Sequence, residues 1–80
     1  MTVRLGDDGV IMLEGTCPIE DAEALLRRLS DNPDADVNWA ACEQAHTAVV
    51  QILLAVRPHL VGLPTNRFLN QWIAPAIRDA

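Results

Sequence analysis

The segment from Thr47 to Arg57 constrains this 80-residue chain more than any other. It has the length and composition of a helix, and Val49, Val50, Ile52, Leu53, Leu54 and Val56 put apolar side chains on nearly every side of it. A surface helix shows one apolar stripe, so a helix that is apolar all round has to be buried between neighbours. The surrounding 12-residue stretch, Ala45 to Val56, is interrupted by His46, Thr47 and Gln51. It falls short of the roughly 20 residues that a membrane span requires. Eighty residues make one domain and not two, so the expectation is a single domain over residues 1–80.

The rest of the chain supplies those neighbours. Val3-Arg4-Leu5, the turn residues Gly6-Asp7-Asp8-Gly9 and the apolar run Val10-Ile11-Met12-Leu13 read as a hairpin, with Asp8-Gly9 suited to positive φ and Gly15 ending the second strand. Pro18 suits a first helical position, and Glu20, Asp21 and Glu23 place negative charge at the positive end of the helix dipole. Ala22, Leu25, Leu26 and Leu29 follow at helical spacing until Ser30-Asp31-Asn32-Pro33 stops the helix. Val37-Asn38-Trp39-Ala40 is a short strand, and His59-Leu60-Val61-Gly62, after Pro58, a strand stub. Thr65 or Asn66 caps a last helix with Leu69, Trp72, Ile73 and Ala76 on one face, broken or kinked at its end by Pro75. The order predicts an α/β fold: a small mixed β-sheet of about four strands, opened by an N-terminal hairpin, with about three helices packed on it.

Charge excludes several partners. The formal net charge is −5, no Lys is present, and the six Arg are spread from Arg4 to Arg78. Nucleic-acid binders neutralise phosphates with clustered cations, and an acidic surface repels anionic membrane as well. Trp39, Phe68 and Trp72 are the only aromatics, too few for a base-stacking platform. Cys17 and Cys42 are too isolated for a disulfide framework, and the N-terminus lacks the apolar run of a signal peptide. The expectation is a cytoplasmic protein with reduced thiols.

Chemistry-bearing residues are sparse. Cys42 and His46 are four apart, but a zinc site needs three or four ligands, so Cys17 and His59 would have to converge on them by tertiary folding. A Cys–His nucleophilic pair lacks an orienting third group. Glu20, Asp21 and Glu23 read as a solvated helix start, and Asp31, Asp34 and Asp36 as turn residues without a calcium-loop pattern. No Gly-rich phosphate motif is present. The expectation is a chain that is no enzyme and carries no metal or cofactor. The polar residues Asn38, Glu43, Gln44, His46 and Thr47 gather ahead of the buried helix, whose unpaired N–H groups suit either a partner's acidic group or a simple cap from His46 or Thr47.

Over most of its length, from the hairpin to the last helix, the chain resembles the STAS domain of sulfate transporters and anti-sigma-factor antagonists. The resemblance is carried by Leu13-Glu14-Gly15, by Ile19-Glu20-Asp21-Ala22-Glu23-Ala24-Leu25, and by the run from Val37 to Leu54. In that run Asn38 stands where the family has a strand Asp, and Ala40 where it has a Ser. His46 replaces the loop Asp, Thr47 keeps the first hydroxyl, Ala48 replaces the second, and Val49 replaces a Gly.

The resemblance implies a regulatory protein–protein interaction module in bacterial signal transduction. It would dock on an anti-sigma or histidine-kinase-type protein through Asn38, His46, Thr47, Ala48 and Gln51. Phosphorylation in the family falls on the second hydroxyl, here Ala48, which leaves Thr47 as the available acceptor. Thr47-Ala48 also matches the small STAS subunits that bind and activate the ATPase of lipid-transport ABC systems. A homodimer paired through Phe68 and Trp72 of the last helix is a further expectation, since aromatics are favoured at contact centres and in cores alike.

Overall fold

The computed structural model describes residues 3–78. Strand β1 (Val3–Leu5) pairs antiparallel with β2 (Ile11–Leu13), setting Val3 opposite Leu13 and Leu5 opposite Ile11. The turn between them is closed by Gly6 N–H on the Val10 carbonyl at 2.8 Å and Gly9 N–H on the Gly6 carbonyl at 3.0 Å. Gly9 alone in this turn takes positive φ, at +81°. Asp8 instead turns its carboxylate onto Val10 N–H at 3.1 Å.

The second strand stops at Leu13, ahead of Gly15 as expected, but the chain stays extended. With φ +69° Gly15 kinks the chain after Glu14, which then resumes as β3 (Gly15–Cys17). The strand at Val37 behaves in the same way: β4 (Val37–Asn38) stops at Trp39, a bend follows, and β5 (Cys42–Ala45) continues. Sheet pairing is therefore split. β4 lies parallel to β2 and β5 parallel to β3, with a register shift between Gly15 and Thr16. The stub β6 (Leu60–Val61) adds parallel to β4, giving a mixed four-stranded sheet in the order β1-β2-β4-β6 beside the two-stranded β3-β5 ladder.

Register assigns the two faces. Leu5, Ile11, Val37 and Leu60 align across the sheet on one side, and Arg4, Met12, Asn38 and Val61 on the other. Ile11 and Val37 are fully buried, whereas the second row is half-buried or exposed. Helices cover the first side. α1 (Glu20–Asp31) buries Ala22, Leu25 and Leu29 and leaves Leu26, expected on the same stripe, largely in solvent. It begins at Glu20 rather than at Pro18, and Asn32 closes it by returning both its backbone N–H and its Nδ2 to the Arg28 carbonyl. α2 (Thr47–Val56) packs against α1 and buries Val49, Val50 and Leu53. It ends where Arg57 swings into the left-handed region at φ 55°, ahead of Pro58.

The last helix occupies 67–78. Asn66, not Thr65, caps it: its Oδ1 accepts from Leu69 N–H at 3.1 Å and its carbonyl from Asn70 N–H at 2.9 Å. Pro75 does not break the helix, but it has no N–H to give the Gln71 carbonyl, and its ring would crowd that group. The chain widens into a π turn over Leu69–Ile73, where Ala74 N–H reaches back to Leu69, and then runs on as α3 (Ala74–Arg78). The wider turn resets the buried face to Leu69, Ile73, Ala74 and Ile77. Trp72 and Ala76, expected on that face, turn outward. Trp39 is left as the one aromatic buried in the core among the described residues.

Candidate docking surface

The start of α2 is built on the C-terminal end of the β3–β5 ladder. His46 N–H donates to the Cys17 carbonyl at 2.8 Å, which anchors the residue before the helix to β3. The His46 ring then turns back, and its Nδ1 accepts from Ala48 N–H at 3.0 Å. His46 is thus the cap, and a capping nitrogen has to be unprotonated to accept. Thr47 and Gln51 are exposed one turn apart, Ala48 is half-buried beside them, and Ala55 continues the outer stripe. No residue of α2 is charged.

His46, Thr47, Ala48 and Gln51 lie on the cap and the first turns of α2. Asn38 belongs to β4. It lies in the outer row of the sheet, and its Oδ1 accepts from Ala40 N–H at 3.1 Å, holding the bend between β4 and β5. Gly62 sits against the same bend; a Cβ there would come within 2.7 Å of the Ala40 Cβ and 3.4 Å of the Asn38 Oδ1.

Cysteine and histidine side chains separate into unrelated places. Cys17 and Cys42 meet across β3 and β5 with their sulfurs 4.0 Å apart, both buried as thiols. The Cys17 hydrogen bond, together with burial, holds the Cys42 thiol far above the ordinary thiol range. His59 pairs instead with Asp36 at 3.1 Å. Because Cys42–Ala45 is a strand, Cys42 and His46 do not share a helical face. Among the described residues no group of three or more His, Cys, Asp or Glu side chains is placed to hold a metal ion. An open groove of about 410 Å³ is lined by Asp8, Asp34 and Asp36, but Asp8 and Asp36 are already engaged by Val10 and His59.

Phe68 and Trp72, named from the sequence as anchors of a homodimer, both stand in solvent, 57% and 69% exposed. Trp72 was also expected on the buried face, and the π turn carries it outward. One feature escaped the reading of the sequence: Arg67 precedes them in a stretch, Gln44 to Arg78, that holds no Asp or Glu. It was legible by counting charge along the chain.

Compared with known proteins, the chain matches no family model, and neither a curated protein nor a solved structure matches it significantly. No helix among the described residues is long and apolar enough to cross a membrane.

Proposed function

We propose that this chain is a STAS-like regulatory module of the bacterial cytoplasm, without catalysis, that docks on an anti-sigma or histidine-kinase-type protein through the first turn of α2. One observation carries the reading: α2 is uncharged throughout, although Thr47, Gln51 and Ala55 face solvent. A helix stripe that only has to be solvated usually carries Lys, Arg or Glu, whereas the centre of a protein contact is depleted of charge. His46 holds the turn in shape, and Thr47 presents a hydroxyl beside it. A phosphoryl group on Thr47 would add about −1.5 to −2 charges to this neutral stripe and release the partner by repulsion and desolvation.

The pair Thr47-Ala48 favours a second reading, a subunit that binds and activates an ABC-transporter ATPase. Partner capture on immobilised wild-type protein and on Thr47→Glu, followed by mass spectrometry, tests both. A kinase-type protein or an ATPase held by wild type and lost by the variant supports the surface and selects the branch. Equal retention of every partner by both columns overturns it.

A further inference from the structure

The last helix presents a surface that its own packing does not use. Leu69, Ile73, Ala74 and Ile77 go into the core, while Phe68 and Trp72, four residues apart on one side, remain more exposed than any other large apolar residue described. Leaving a Trp and a Phe in water forgoes burial that would stabilise the fold, and such residues are enriched at the centres of protein contacts.

Charge says what kind of surface would cover them. Ten of the eleven Asp and Glu residues lie within residues 1–43, and the eleventh is Asp79. Gln44 to Arg78 carries three Arg, two His and no acid. Arg67, next to Phe68, forms no ion pair among the described residues. Glu43 is tied to this end of the helix through its backbone, where its carbonyl accepts from Asn66 Nδ2 at 2.9 Å. An aromatic ridge edged by an arginine complements a surface that is apolar at its centre and acidic at its rim. Two copies joined ridge to ridge about a two-fold axis would offer Arg67 only the same acid-free stretch, Gln44 to Arg78, since such contacts repeat one patch.

We propose that Phe68 and Trp72, flanked by Arg67, form a docking ridge for an acidic amphipathic helix of a protein partner. This rests on the reading of the chain as a docking module and names the chemistry of what it receives. Aromatics at positions i and i+4 match the spacing of an apolar stripe on a facing helix, and carboxylates beside that stripe would meet Arg67.

The test titrates the intact protein with a synthetic amphipathic helical peptide of Leu and Glu, and with its counterpart carrying Lys for Glu, following Trp72 emission. The Glu peptide is expected to shift the emission to the blue and to bind at least about tenfold more tightly than the Lys peptide. Trp72→Ala and Arg67→Glu, checked for unchanged melting temperature and titrated by calorimetry beside wild type because the first removes the emission reporter, are each expected to weaken it by about tenfold or more. Equal binding of the two peptides, no binding of either, or undiminished binding by both variants overturns the proposal. A sedimentation coefficient that rises with concentration and falls back in Trp72→Ala assigns the ridge to a second copy and overturns it as well. So does an emission shift on phosphatidylglycerol vesicles without one on the Glu peptide. Thr47→Glu lies outside the ridge and leaves the titration unchanged, so the α2 surface and the ridge fail separately.

Discussion

The Trp39 indole N–H donates to the Gly62 carbonyl at 3.0 Å, tying the end of β4 to the turn after β6. The bond satisfies a polar atom on a side chain that is 1% exposed. Gly62 adopts φ +78°, and a Cβ on it would press to 2.7 Å from the Ala40 Cβ. Both causes act against any side chain there. Gly62→Ala is expected to destabilise the fold by about 1–3 kcal/mol. Adding Ala40→Gly removes the collision but not the backbone strain, so it should recover only part of the loss in thermal melting. Full recovery would show that the contact, and not the dihedral, sets the cost.

His46 is an unusual cap, and its neighbour makes it testable. Only its Nδ1 and main-chain carbonyl serve the first turn of α2, and no acidic residue lies in that turn. His46→Ala should cost about 0.5–2 kcal/mol, while His46→Asp should at least match wild type, since a carboxylate caps well and suits the helix dipole. On the proposed function, both variants weaken partner binding even where His46→Asp restores stability. Denaturant melts read beside a binding titration separate the two effects.

Elements set by local rules were legible in the sequence. The hairpin turn has only a few workable geometries for Gly6-Asp7-Asp8-Gly9, α1 follows from its apolar spacing, and α2 matches because apolar density over ten residues leaves little choice. β5 was not legible. Cys42-Glu43-Gln44-Ala45 has neither alternation nor β-branched residues, and it is a strand only because the kink at Gly15 brings β3 alongside. Trp72 was misplaced for a related reason. Pro75 announced a kink, but whether it would end the helix or widen the turn before it depends on what Leu69 and Ile73 pack against. In the site, Asn38, His46 and Thr47 were grouped as polar residues ahead of the buried helix and again by family resemblance; in the structure His46 caps α2, while Asn38 braces the bend at Ala40.

The two tryptophans should report two environments. Trp39 is buried and hydrogen-bonded, while Trp72 is 69% exposed. Iodide is expected to quench the Trp72 component of the emission and to leave the Trp39 component nearly untouched. Trp72→Ala should change stability by no more than about 0.5 kcal/mol, as surface substitutions do. Trp39→Ala should cost about 3–5 kcal/mol by opening a cavity in the core. A large loss of stability in Trp72→Ala would mean that the residue packs inward in solution.

The buried thiols give the fold an alkaline limit. Cys42 has its pKa raised in the folded state, first by the Cys17 hydrogen bond and then by burial. In the unfolded chain it titrates near the ordinary value of about 8.5. A pKa raised on folding contributes stability that is fully present below the unfolded value. Above it the unfolded state has lost a proton that the folded state keeps, so stability falls as pH rises. The melting temperature is therefore expected to decline above about pH 8.5 in wild type and to decline less in Cys17→Ala/Cys42→Ala, each read against its own value at pH 7. In native protein at pH 8 an aromatic disulfide reagent should react with both thiols only as fast as the chain opens, because both side chains are about 1% exposed. Prompt reaction of either thiol without unfolding would show that the β3–β5 ladder opens on its own.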